Sequence, residues 1–244
     1  MSEFKFPTEV IDLPSKGLLY PKDSPLASGK LEMKYMTAKE EDILTNQNYL
    51  QRGIVIDKLL QSLIVSDIDY TQLVTGDQNA VMIAARILGY GKDYEFTFKG
   101  EKQVIDLTTL EDKPFDESLI TPNVNEFKFT LPYSKTDITF KILTVGDDEK
   151  IRQELTGLKK LNKDASPELS TRLKYIITSV DGVREPGTIR SFVDTLLLAR
   201  DSKALRDYTR SVQPDINLTV TVTANDIEED ISLPINASFF WPDA

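Results

Sequence analysis

The side chains that most often do chemistry near neutral pH are missing from this sequence. It has no cysteine and no histidine. That removes thiolate nucleophiles, disulfides, His-based triads and zinc held by Cys or His. Carboxylates are plentiful, with 39 Asp and Glu against 29 Lys and Arg. Pairs of them could serve glycoside hydrolysis. No concentration of sugar-binding aromatics accompanies them, and the one tryptophan is Trp241. Oxygen-ligand metals have candidate positions at Asp67 and Asp69, and at Asp226, Glu228, Glu229 and Asp230. None shows the glycine and terminal glutamate of an EF-hand loop, and such runs usually form a solvated acidic surface. Ser15 and Lys16 could form a Ser–Lys pair, but neighbours in a Pro/Gly loop rarely converge on one substrate. In "GYGKDY" (89–94) the glycines follow a helix pattern and precede a strand, the reverse of the dinucleotide-binding context. The expectation is of no catalytic residue, no cofactor and no metal.

Arg86 stands apart, because it lies in the apolar run "VMIAARILGY". A buried guanidinium needs partners, and the acidic run Glu40, Glu41 and Asp42 is a source of them. The expected arrangement is an ion pair between two helices.

The elements that must position these groups follow from pattern. Residues 1–30 carry Pro7, Pro14, Pro21 and Pro25, which exclude long regular elements. "LPSKGLLYP" still holds Leu13, Leu18, Leu19 and Tyr20, so this arm should be an ordered loop packed on the body. "KLEMKYM" (30–36) alternates as a strand. Thr37 and Glu40 form a T-x-x-E capping box, and the acids Glu40, Glu41 and Asp42 suit a helix N-terminus. Asn46, Gln47 and Asn48 should end that helix. Ile56, Leu59, Leu60, Leu63 and Ile64 make an amphipathic helix. Asp77 should cap a central helix that Gly89 and Gly91 end. Hairpins are expected over 94–107, turning at Lys99-Gly100, and over 126–143.

The second half reads as four helices. One starts at Asp147 or Asp148 and runs to about Leu161. The next starts at Ser166-Pro167, with Leu169, Leu173, Ile176 and Val180 on one face. A third carries Ile189, Phe192, Val193, Leu196 and Leu197. Asp201 should cap the fourth. A last hairpin turns at Asn225-Asp226, and "FFWPDA" puts three aromatics in a tail that either folds into the core or fills a partner's groove. The helix-then-hairpin order at 77–107 recurs loosely at 187–235. "EDKPFDESLITPN" is the expected connector between two domains, 1–112 and 113–244. The fold class is α+β: helical layers with several antiparallel β-hairpins and a Pro-rich N-terminal arm.

The net charge of −10 and the lack of a basic stripe argue against nucleic acid. No apolar run approaches a membrane span, and "MSEFKFPTEV" is not a signal peptide. A soluble protein in a reducing compartment is expected.

"LPSKGLLYP", then "PLASGKLEMKYMTAKEEDILTNQNYL", "AARILGYGKDYEF" and "FFWPD" resemble the T4-type bacteriophage baseplate hub assembly protein family, most specifically over 13–50. The resemblance implies a non-enzymatic phage tail protein that helps build the central hub of the baseplate. Its implied partners are hub and tape-measure proteins, met in the host cytoplasm during tail assembly. Whether such a protein leaves or stays as a structural subunit of the virion is open, and a wall-degrading hydrolase is the rival from another class. Some family members carry Cys pairs in the hairpin regions; this chain does not, so no metal is implied. The segment ending "TNQNYL" would present Asn46, Gln47, Asn48 and Tyr49 to a partner. Phe239, Phe240 and Trp241 would be a second anchor.

Overall fold

The computed structural model describes residues 7–161, 167–224, 227–235 and 239–240. Strand β1 (Thr8–Asp12) pairs antiparallel with β2 (Lys30–Lys34), whose alternation buries Leu31 and Met33. Helices α1 (Ala38–Leu44), α2 (Gln47–Arg52) and α3 (Val55–Leu63) follow. The buried face of α3 is Val55, Leu59, Leu60 and Leu63. A short 3-10 turn at Tyr70–Gln72 leads into the central helix α4 (Thr75–Tyr90), then into the hairpin β3 (Asp93–Phe98) and β4 (Glu101–Asp106). Lys99 and Gly100 turn that hairpin with φ of 49° and 85°, as a two-residue turn matching strand twist requires.

Strands β5 (Phe127–Thr130) and β6 (Asp137–Phe140) form the next hairpin. Beyond it lie α5 (Val145–Leu161), α6 (Glu168–Ile176), β7 (Ile177–Val180), α7 (Pro186–Thr195) and α8 (Ala199–Val212). The last hairpin is β8 (Thr219–Ala224) with β9 (Ile227–Ser232). The class is α+β with antiparallel hairpins, as expected.

Several local expectations need correction. The helix begun at Thr37 ends at Leu44, and Asn46 caps a second helix. Its Oδ1 accepts from the amides of Asn48 (3.0 Å) and Tyr49 (3.2 Å). Val180 is not on a helix: α6 stops at Ile176, and the following stretch joins β6 as a third strand. Ile177 and Val180 are β-branched and fit that pleated position. Gly91, with φ of 86°, terminates α4, whereas Gly89 lies inside it against Met36. The expected connector is packed. Lys113 N donates to Asp215 O (2.7 Å), Asn123 N to Leu18 O (2.7 Å), and Ile120 is buried. Buried residues before and after residue 112 form one contiguous core, because Leu110, Phe115 and Ile120 draw that segment inward. Ser166, Asn225, Asp226 and Trp241 lie outside the described residues.

The two halves share one plan. Strands β1 and β5 both run into a Leu-Pro turn, Leu13-Pro14-Ser15-Lys16 and Leu131-Pro132-Tyr133-Ser134-Lys135. The lysine takes positive φ in each, 52° and 61°, and its amide donates back to the leucine carbonyl at 2.8 and 3.0 Å. The return strand meets a third stretch that follows the next helices: β2 bridges to Ile64, and β6 pairs with β7. A lysine, a threonine and an acid then recur at three-residue spacing, as Lys34, Thr37 and Glu40 and as Lys141, Thr144 and Asp147. Each acid is buried, accepts from the threonine amide at 3.0 or 3.1 Å, and pairs with the lysine at 2.8 or 2.7 Å. Each half closes with a long helix, α4 or α8, whose third residue is a buried aspartate, then a hairpin of six-residue strands. Even the hairpin bases match, with Leu107 N to Lys92 O at 2.8 Å and Leu233 N to Leu218 O at 2.7 Å. The intervening helices differ, and α7 has no counterpart in the first half. The loose repeat of 77–107 at 187–235 is the end of this larger one.

Candidate interaction sites

Asp77 sits in the first turn of α4, but its carboxylate caps nothing in that helix. It holds the arm instead. Oδ1 accepts from Ser15 N at 2.9 Å, and Oδ2 accepts from Ser15 Oγ at 2.6 Å and Tyr20 Oη at 2.5 Å. Tyr20 Oη in turn accepts from Val74 N at 3.1 Å, and Ser15 Oγ from Gly17 N at 3.2 Å. Gly17, at φ 79°, allows the turn: a Cβ there would lie 2.4 Å from Ala27 O. Burial pushes the Asp77 carboxyl up, against the pull of its hydrogen bonds to Ser15 and Tyr20. Burial first, and the neighbouring carboxylate second, drive the Tyr20 phenol far above its ordinary range.

Asp201 does the same work in the second half. It accepts from Tyr133 N at 2.8 Å and Ser134 N at 2.9 Å. Burial opposes its ionised form, but those two amides and the Ser134 hydroxyl hold the carboxyl below its usual value. Both aspartates were expected to cap their own helices. Each sits three residues past the cap position, Val74 or Leu198, and reaches another segment.

Ser15 and Lys16 do not form a dyad. The Ser15 hydroxyl is committed to Asp77, and Lys16 Nζ pairs with Glu117 at the surface. Asp69 caps the short turn by accepting from Thr71 N (3.0 Å) and Thr71 Oγ1 (2.7 Å). Glu229 pairs with Lys99, and Asp230 accepts from Thr221 Oγ1 at 2.7 Å. Among the described residues no group of three or more Asp or Glu could hold a metal ion.

Arg86 is buried, at 2% exposure, but its expected ion pair with Glu40, Glu41 or Asp42 is absent. Nη1 donates to Gly91 O at 3.1 Å and Nη2 to Asp93 O at 3.4 Å. The guanidinium lies over the rings of Tyr90 (5.2 Å) and Tyr94 (5.8 Å), and Nε has no partner. Carbonyls just past the C-terminus of its own helix, where the backbone dipole is negative, replace the carboxylate. The acids are engaged or turned away. Glu40 belongs to Lys34, Thr37 N and Thr37 Oγ1, Glu41 accepts from the Tyr90 hydroxyl, and Asp42 faces solvent. Burial would push the Glu40 carboxyl up, but Lys34 and Thr37 together hold it below the usual range.

The two expected partner-binding segments differ. In the first, Gln47 and Asn48 are exposed, Asn46 is occupied as a cap, and Tyr49 is half-buried against the core. In the second, Phe239 and Phe240 are fully buried in the chain's own core, so they are not a free anchor. Phe239 meets Tyr94 edge-on at 4.9 Å and Phe240 at 5.2 Å. Trp241 lies outside the described residues.

Local patterns missed the long-range ion pairs. Glu154 accepts both Arg190 nitrogens at 2.7 Å and Tyr175 Oη at 3.0 Å, tying α5 to α6 and α7. Glu126 accepts both Arg184 nitrogens at 2.7 and 2.8 Å. A signal for the aspartate clamps did exist, in the recurring Leu-Pro turns.

No helix among the described residues is long and apolar enough to cross a membrane. Comparison of the chain with protein-family models, curated proteins and solved structures finds no match.

Proposed function

We propose that this chain is a phage tail protein that promotes assembly of the baseplate central hub by protein–protein binding, without catalysis. Its partners are hub and tape-measure proteins, and it acts in the host cytoplasm during tail assembly. One observation carries the reading: the run 13–50, which resembles the hub assembly family, is held as one fixed surface. Asp77 clamps its loop and Glu40 locks the β2–α1 corner. Gln47 and Asn48 are left facing outward on α2. The buried carboxylates support the same reading, because Asp77, Asp201, Glu40 and Asp147 each close a turn or cap rather than line a cleft. Affinity capture of the tagged chain from infected cells tests it. Recovery of hub or tape-measure proteins is expected, weakened by Gln47→Glu with Asn48→Asp. A capture free of tail proteins overturns the reading. Mass spectrometry of purified virions decides whether the protein leaves after assembly or remains in the baseplate.

A further inference from the structure

Between the α2–α3 corner and α5 runs a cleft made of three depressions with shared walls, of about 290, 470 and 120 Å³. Arg152 bridges it, with Nη1 on Gly53 O at 2.9 Å and Nη2 3.5 Å from Asp57 Oδ2. The chain carries a net charge of −10, yet this cleft is lined by five basic side chains and three acidic ones. Two of the acids are already matched, Asp57 by Arg152 and Asp148 by Arg172. Arg52, Lys58 and Lys160 have no carboxylate partner among the described residues and are exposed. The third acid, Glu149, takes only a hydrogen bond from Gln153 Nε2, so three cations face one remaining carboxylate and the cleft draws anions locally, against the field of the molecule.

Gly157 adds an independent observation. It lies within α5 on the wall of the cleft, and a Cβ there would meet nothing within 4 Å. Glycine inside a helix costs about 0.5–1 kcal/mol relative to alanine, and no packing within the chain asks for it. Its bare surface leaves room on that wall for a foreign backbone to come close. A nucleic acid would fit poorly, since its charge repeats along the whole strand and the rest of the strand would meet a chain of net charge −10. A short peptide can confine its carboxylates to the cleft.

We infer that the cleft receives an extended, carboxylate-bearing segment of a partner protein. Its acidic side chains meet Arg52, Lys58 and Lys160, and its backbone passes over Gly157. This deepens the protein-binding role proposed above, and its test needs no phage protein, so the two can fail separately.

Titration of the full chain into fluorescein-labelled hexaglutamate, read by anisotropy, should give saturable binding that weakens with salt. Arg52→Glu with Lys160→Glu should weaken it at least about tenfold. Gly157→Leu keeps every charge and favours the helix; it should weaken binding to a similar degree with an unchanged or higher melting temperature. Absence of binding overturns the inference, as does binding indifferent to Gly157→Leu, which would be charge attraction alone. Tighter binding of labelled oligothymidylate with the same sensitivity would make this a nucleic-acid site instead. Sedimentation of the chain alone provides the last check. Self-association lost in the Arg52→Glu, Lys160→Glu variant would give the cleft to a second copy and overturn the inference.

Discussion

Replacing Asp77 with alanine should be among the most damaging single changes in this chain. Three buried donors would lose their acceptor: Ser15 N, Ser15 Oγ and Tyr20 Oη. Each stranded group costs about 1–3 kcal/mol. Against that, the substitution removes a carboxylate whose burial already disfavours its ionised form. A net loss of about 3–5 kcal/mol follows, the lower part of what three stranded donors would cost together. For a chain of this size that lowers the melting temperature by roughly 6–20 °C. Asp77→Asn separates the causes. Its carbonyl can still accept from Ser15 N, and its volume is kept, so it should lose less than half as much. Thermal and urea unfolding followed by circular dichroism give both values. Hydrogen exchange at Ser15, Gly17 and Leu18 should show the arm loosening before the core. A loss below about 1 kcal/mol for Asp77→Ala, or equal losses for the two variants, would refute the clamp, since the stranded-donor cost would then be missing.

Three further outcomes are expected. Arg86→Met should cost no more than about 2 kcal/mol, because it gives up hydrogen bonds to two carbonyls but relieves a buried charge that has no carboxylate to abandon; a loss of about 3 kcal/mol or more in urea unfolding would point to an ion pair. Phe239→Ala should cost about 3–5 kcal/mol, since the ring is fully buried against Tyr94 and Phe240; an unchanged melting temperature would show that the tail lies outside the core. Glu40 has a folded pKa below its unfolded value, so its stabilisation is complete above the unfolded pKa and is lost as pH falls through the folded one. Glu40→Gln should therefore be less stable than wild type at neutral pH and converge with it under acid, and a pH-independent difference would count against the Lys34–Glu40 pair.

What could be read from the sequence was whatever local pattern decides. Helix α3 shows its 3.6-residue period, and the β3–β4 hairpin declares itself by Lys99-Gly100 after the alternating Tyr94, Phe96 and Phe98. Position 177–180 fails this test, because a short apolar β-branched run fits a helix end or a strand equally well. Only pairing with β6 decides it. Asp77 and Asp201 were misplaced for a related reason. An aspartate near a helix start suggests a cap, but their partners are segments 62 and 68 residues away. For Arg86 the cost of burial was anticipated, and so was the need for partners. The partners are not side chains: the backbone beyond the end of its own helix offers two carbonyls, which no residue pattern marks.

The recurrence of one plan in both halves gives the molecule two latches of the same design. Each fastens a Leu-Pro turn to the start of a long helix by a single buried carboxylate. The latches are far apart in sequence and share no residue, so releasing one does not require releasing the other. Each turn should then open locally at its own free energy, below that of the core the two halves share. The segment around one turn can then loosen while the other turn keeps its register.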